Sequence, residues 1–419
     1  MTNFNTTLPR VKLAAGAVQQ LSGQTKNAVL RDLRRGLIAS TKEILLANDK
    51  DFLRLPAAYP HADRLKLTPT RILGMAKSLQ AVERLADPTN RLLDRRVLKN
   101  GLTIERRTVP LGVIGIIYEA RPNVTVEVFS LAFKAGNALL LKGGRDAYET
   151  NKVLVDLIHR VLRKHKISPD AVTLINAFKP ADTERLLKAN QYIDVIIPRG
   201  SNRLINYVRS HSTIPVIETG AGVCHMYVER SANLTWAVRL VFNAKTRRVS
   251  VCNALDTLLV DTSIAPRLFK KLAPELAKAG VVIYADKKGY QILKTGYPNN
   301  LLHQARPAHF GKEFLSLAMS VKTVPDWRAA FQHISRYTSK HSEGIITTNQ
   351  KLAAKFQQTI DAAAVYVNTS IGFTDGYEFG LGGEIGISTQ KLQARGPLGL
   401  SELVTYKWLV TSRGVTRPG

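Results

Sequence analysis

The chain has 419 residues, 45% hydrophobic and 22% charged. This is ordinary globular usage that excludes a disordered, collagen-like or coiled-coil chain. Length alone predicts two to three domains and a core that needs neither metal nor disulfide. Sixty Lys and Arg against 32 Asp and Glu give a net charge of +28. The basic residues come in dispersed pairs such as Arg34-Arg35, Arg95-Arg96 and Arg247-Arg248, with no basic tail and no nucleic-acid-reading motif. The expectation is a solvated basic surface that attracts an anionic substrate or an acidic partner, and no nucleic acid. Two cysteines, Cys224 and Cys252, point to a reducing compartment. The N-terminus MTNFNTTLPR carries no apolar leader and no run approaches a membrane span, so a cytoplasmic chain away from membranes is expected.

Residues 11–50 are predicted helical, because Val18, Leu21, Val29, Leu30, Leu33, Leu37, Ile44 and Leu45 recur three and four apart. A loop is expected over 56–60. Another helix over 69–86 opens on Thr68 as cap and Pro69 in the first turn. The Asn100-Gly101 pair within 99–109 predicts a hairpin. From residue 111 short apolar runs alternate with helical stretches. Strands are predicted over 113–118, 138–141, 172–175, 194–197 and 215–217, with helices over 126–135, 147–164, 182–189 and 203–210. A second block follows a helix over 234–246. Its strands are predicted over 258–260, 281–284, 315–321, 344–347 and 364–367, and its helices over 264–279, 327–336 and 350–359. Such alternation marks βαβ units and parallel sheets. Residues 402–411 read as an edge strand.

Several common chemistries are excluded. There is no G-x-G-x-x-G, no P-loop and no G-x-S-x-G, and His211, His225 and His303 are not spaced as metal ligands. Cys252 follows a predicted helix and precedes an apolar strand. Beside Lys245, Arg247 and Arg248 it reads as a thiolate-rich nucleophile, or else as a buried inert cysteine. Cys224, in an apolar run, fits the core. The glycine clusters Glu218–Gly222 and Pro198–Ser201 suit close backbone approach to a ligand, or tight strand-to-helix turns.

The order of the pieces carries a resemblance. Pro110–Val113, Tyr118–Thr125, Leu141–Gly144, Glu218–Gly220, Cys252 and Glu313 occur in the sequence typical of the aldehyde dehydrogenase superfamily. Tyr118–Thr125, Ser250–Leu255, Phe373–Gly376, Gly380–Thr389, Leu392–Gly399 and Thr405–Trp408 resemble its γ-glutamyl phosphate reductases. Two positions depart from that family's pattern: Arg247-Arg248-Val249-Ser250 stands where Gln-Arg-Pro-Ser is usual, and Gly372 where Arg is usual.

The resemblance implies an α/β fold with two Rossmann-like domains and a β-hairpin and C-terminal-strand oligomerisation element. The cofactor-binding domain would span 1–93 and 111–220, the catalytic domain 221–385, and the oligomerisation element 94–110 and 386–419. It implies NADPH-dependent reduction of L-glutamyl 5-phosphate to L-glutamate 5-semialdehyde, with phosphate released, in proline biosynthesis. Cys252 would form the thioester, with the Asn123 amide stabilising the oxyanion, and Glu218 as a further candidate for a catalytic part. Cofactor contacts would fall on Lys142, Gly143, Gly144, Arg145, Arg199, Gly200, Ser201, Glu218, Gly220 and Glu313, and substrate contacts on Arg121, Arg248 and Asn253. No metal is expected. Expected partners are a second copy of the chain, in a dimer or dimer-based oligomer, and a glutamate 5-kinase; without a kinase module, the sequence resembles the stand-alone rather than the fused reductase. Another aldehyde or acyl-phosphate substrate, and a non-catalytic basic paralogue that binds a partner protein, remain as alternatives.

Overall fold

A computed structural model describes residues 4–56, 59, 62–119 and 121–417. Residues 57, 58 and 60 of the expected 56–60 loop, Ala120 of the Tyr118–Thr125 motif, and residues 1–3, 418 and 419 of the expected domains lie outside the described residues. The chain divides into two compact units. One holds residues 1–219, 379–386 and 397–419; the other holds 220–378 and 387–396.

The first unit opens with helices α1 (Phe4–Gln19), α2 (Gly23–Ala39), α3 (Thr41–Phe52), α4 (Ala62–Leu65) and α5 (Pro69–Arg84). The predicted cap is present: Thr68 Oγ1 accepts the Arg71 N–H at 3.2 Å, with Pro69 in the first turn. Next come β1 (Leu92–Val97), β2 (Thr103–Pro110), β3 (Val113–Tyr118), α6 (Asn123–Lys134), β4 (Ala138–Lys142) and α7 (Tyr148–Lys164). They are followed by β5 (Val172–Leu174), α8 (Pro180–Leu187), β6 (Val195–Arg199) and α9 (Asn202–His211). Strands β3 to β6 form one parallel sheet in the order β5-β4-β3-β6. Every residue of β3 and β4 is buried, as continuous apolar runs covered on both faces should be.

Two expectations shift in this unit. Helix α6 begins at Asn123 rather than Val126, because the cap residue Pro122 already sits at helical angles (φ −64°, ψ −29°). The strand predicted over 215–217 reduces to a single parallel bridge between Ile196 and Val216. Pro215 has no N–H to continue a ladder.

The second unit contains β7 (Cys224–Val228), α10 (Leu234–Thr246), β8 (Leu255–Asp261), α11 (Ala265–Lys278), β9 (Val282–Ala285) and α12 (Lys287–Leu293). It continues through β10 (Leu302–Gln304), β11 (Ala318–Val324), α13 (Trp327–Tyr337), β12 (Ser342–Ile346), α14 (Gln350–Thr359) and β13 (Ala364–Val367). These seven strands form one parallel sheet, in the order β10-β9-β11-β8-β7-β12-β13. Its apolar core groups Met226, Val228, Leu258, Val260, Leu268, Leu272 and Val321. Strand β11 starts three residues later than predicted. Leu315 adopts φ +50°, a left-handed angle outside the strand region.

A last strand of the first unit, β14 (Val404–Thr411), pairs antiparallel with β2, which pairs with β1. The predicted hairpin is therefore β1–β2. Its turn closes through Leu98 N–H to Leu102 O at 2.8 Å, with Gly101 at φ +88°, a backbone region that favours glycine. Among the described residues no helix is long and apolar enough to cross a membrane, and no group of three His, Cys, Asp or Glu could hold a metal.

Candidate active site

In the second unit, side chains converge at the edge where the parallel strands begin. Cys252 lies in the turn between α10 and β8, partly exposed, three residues before Leu255 opens the strand. Its carbonyl is held from two sides. The Cys224 thiol donates to it at 3.2 Å. Gly222 presses so close that a Cβ there would fall 1.5 Å from the same oxygen. Only glycine allows this approach. Cys224 itself is fully buried, and burial pushes its thiol well above the ordinary range, so it stays protonated and able to donate.

The sulfur of Cys252 lies 3.1 Å from His341 Nε2, and the other ring nitrogen, Nδ1, lies 2.8 Å from Ser342 Oγ. From Ser342 a hydroxyl chain runs to Thr374 Oγ1 at 2.6 Å and on to Tyr366 OH at 2.7 Å. His341 is fully buried, and burial pulls its pKa down to about 4. It is therefore a neutral imidazole near neutral pH.

Around this pair the loop is tied by backbone-directed bonds. Asn253, expected to touch substrate, is buried, and its Nδ2 donates to Gly372 O and Thr374 O, each at 3.0 Å. Its amide therefore fastens the 372–374 segment beside Cys252. Arg247 Nη2 donates to the same Gly372 carbonyl at 3.1 Å. A Cβ on Gly372 would lie 3.4–3.5 Å from the Arg247 guanidinium, so this cation fills the space beside the position where the family's arginine is absent. Arg248 is exposed. Lys245, expected to act on the thiol, turns inward instead: it is buried and donates to Leu255 O at 2.7 Å, and burial lowers its pKa to about 8.

Glu313 Oε1 accepts the Gly222 N–H at 3.0 Å, so the carboxylate expected on the cofactor also fixes the glycine that locks Cys252. Next to it, the Phe314 N–H donates to buried Asp256 at 2.8 Å, and the Cys224 N–H to the same carboxyl at 3.4 Å. Burial raises Asp256 to about 7. Gly220 packs against Thr389, which a Cβ would meet at 3.1 Å.

In the first unit, the expected cofactor residues gather where the strands end, the usual ligand edge of an open parallel sheet. Gly143 and Gly144 follow β4. Gly143 is buried against Asn151 Nδ2, which a Cβ would meet at 2.5 Å. Arg145 is exposed, whereas Lys142 is buried and donates to Ala177 O at 3.3 Å; burial lowers its pKa. After β6, Arg199 Nη1 donates to Ile385 O, while its buried Nε has no hydrogen-bond partner. The Ser201 N–H and hydroxyl, at the start of α9 after Gly200, are taken by Glu119 at 2.7 and 3.0 Å. That helix N-terminus therefore already holds a carboxylate. Glu218 lies 3.8 Å from Arg209. Asn123 heads α6, with Nδ2 donating to Glu127 at 2.8 Å, and Arg121 is half-buried two residues earlier.

The sequence reading missed His341, Gly222's second role, Thr374 and Asp256. His341 precedes a predicted strand, whereas the usual ligand rule points to strand ends; only β12's place between β7 and β13 brings it to Cys252.

Known proteins agree with this architecture. The model of the aldehyde dehydrogenase family matches residues 19–288. A protein named gamma-glutamyl phosphate reductase from Pelodictyon phaeoclathratiforme is 50% identical over 408 residues, covering 97% of each chain. One from Bacteroides thetaiotaomicron is 47% identical over 99% of each. The crystal structure of a gamma-glutamyl phosphate reductase from Thermotoga maritima superposes with a TM-score of 0.94 at 39% identity over the whole of both chains. The chain belongs to the gamma-glutamyl phosphate reductases of the aldehyde dehydrogenase family.

Proposed function

We infer that the chain reduces L-glutamyl 5-phosphate to L-glutamate 5-semialdehyde in proline biosynthesis, releasing phosphate through a thioester on Cys252. What supports this most directly is the partly exposed Cys252 thiol on a loop locked by Gly222, Cys224 and Asn253, in a chain matching a reductase of that name over 97% of its length. The thiol attacks the acyl carbon, and the Cys252 N–H meets the developing oxyanion. Phosphate is a good leaving group, so the thioester forms without a strong acid. Arg247 and Arg248 supply positive charge for the anionic substrate. Glu218 has no water to activate in this reaction, so its part is in shaping the turn rather than in hydrolysis.

The residues after β4 fit a phosphorylated nucleotide: two glycines bring the backbone close, and an exposed guanidinium offers a fork of donors. A reduced nicotinamide nucleotide held by these residues would supply the hydride for the reduction. Arg145 favours the 2′-phosphorylated form, NADPH, because a cation there attracts a phosphate that a carboxylate would repel. The sheet β1-β2-β14 ends on an edge strand with Tyr406, Trp408 and Val410 each about half exposed. Pairing with a second copy would cover it.

The test runs the reaction in reverse. NADP⁺ reduction with glutamate 5-semialdehyde should require inorganic phosphate. Turnover at the same rate without phosphate would instead mark an aldehyde dehydrogenase that hydrolyses its thioester.

A further inference from the structure

We propose that His341 is the base that takes the proton of the Cys252 thiol and passes it to the departing phosphate, and that Ser342, Thr374 and Tyr366 hold it in the tautomer this requires. The proposal rests on the reading of Cys252 as nucleophile.

One set of donor directions satisfies every contact in the hydrogen-bond chain. That chain ends at the Ile371 carbonyl, 3.4 Å from Thr374 Oγ1, which can only accept. Thr374 therefore donates there and accepts from Ser342 at 2.6 Å and from Tyr366 at 2.7 Å. With its own hydrogen turned to Thr374, Ser342 Oγ accepts from His341 Nδ1 at 2.8 Å. In a neutral imidazole only one nitrogen carries hydrogen, so Nε2 is left as an acceptor, 3.1 Å from Cys252 Sγ. Cys224 agrees with this assignment: its S–H points to Cys252 O, so its sulfur offers only a lone pair to Nδ1, 3.9 Å away.

The step balances. The Cys252 S–H bond breaks and an N–H bond forms on Nε2 as the S–C bond forms. The acyl C–O bond then breaks, and the imidazolium gives its proton to the leaving phosphate, returning neutral. The groups bonded to the ring are two thiols and a hydroxyl, and none stabilises a lasting imidazolium. Burial makes the protonated ring short-lived, which favours onward transfer.

Full-length His341→Ala and His341→Asn variants test this, with circular dichroism and NADPH binding checking the fold. Asn keeps a bond to Ser342 but is no base. Both should lower kcat about 10²- to 10⁴-fold, the usual range for a positioned base, and slow alkylation of Cys252 by iodoacetamide at neutral pH at least tenfold. The alkylation profile should also move to higher pH, and added imidazole should partly restore turnover in His341→Ala. Folded variants with kcat and alkylation within threefold of the unmutated chain would overturn the proposal, as would loss of kcat with an unchanged alkylation profile. Should both variants misfold, ¹⁵N-histidine spectra of the unmutated chain decide: a proton on Nδ1 is expected, and one on Nε2 would overturn it. Cys252→Ala separates the two readings. If that variant stays active, the nucleophile assignment fails. If it is inactive while His341→Ala is fully active, only the base fails.

Discussion

Gly222→Ala is the sharpest single perturbation of the cysteine loop. The new methyl carbon would fall 1.5 Å from the Cys252 carbonyl oxygen and 2.5 Å from its carbon. To reach even a tight contact the two backbones must part by about 1.5 Å, and both are held: Gly222 by Glu313, Cys252 by Cys224. Overpacking of this kind costs about 1–3 kcal/mol, a fall of several degrees in melting temperature for a domain this size. The larger effect falls on rate, because displacing a reacting group by about 1 Å costs on the order of 10²-fold. Glycine 222 has no left-handed φ to lose, so the clash alone is being read. The assay is NADPH oxidation with glutamyl phosphate supplied in situ, beside a thermal melt. A variant within threefold of the unmutated rate would show that the Gly222 contact does not position Cys252.

Arg145→Glu should shift the kcat/KM ratio for NADPH over NADH against NADPH by about 1–3 kcal/mol, the size of a charge-assisted hydrogen bond; an unchanged ratio would remove Arg145 from the 2′-phosphate. His333 is buried, its Nε2 has no partner, and burial first, then His225, hold its pKa at about 3. That neutral ring stabilises the fold above its unfolded pKa near 6.5, and the contribution is lost as pH falls toward 3, at roughly 1.4 kcal/mol per pH unit. His333→Leu should therefore gain denaturant stability relative to the unmutated chain as pH drops below 6.5, and a difference that does not change with pH would contradict this. Cys224→Ala removes a buried thiol and its bond to Cys252 O; kcat should fall less than tenfold, measured beside a modest loss of stability. Trp408→Asp on the exposed edge strand β14 should convert a dimer to monomer in sedimentation velocity, and a monomer already present in the unmutated chain at micromolar concentration would exclude that interface.

Much of the fold was legible in the sequence because its signals are local. Val113–Tyr118 and Ala364–Val367 are β-branched apolar runs, and both strands begin and end where the run does. The Thr68-Pro69 cap and the Asn100-Gly101 turn act through their own backbones. Strand β7 was hidden because His225 interrupts its apolar run. That histidine is buried, with Glu343 of β12 taking its N–H at 2.9 Å and lying 3.0 Å from its ring, and no local pattern reveals such a pairing. The site divides in the same way. The neighbours of Cys252 left it a nucleophile or an inert cysteine, and the order of motifs around it decided for the nucleophile. His341, 89 residues on, meets it only through strand order. Charge near the cysteine misled for Lys245, since spacing cannot say which side of a helix end faces the core.

The central claim is that Cys252 carries the acyl group, and intact-mass spectrometry tests it directly. The chain is mixed with glutamyl phosphate generated in situ, with no nicotinamide cofactor present, and quenched in acid. The account predicts one glutamyl adduct per chain, mapped to Cys252, labile to hydroxylamine and absent from Cys252→Ala. An unmodified chain under conditions where turnover is otherwise rapid, or an adduct that persists in Cys252→Ala, would contradict it.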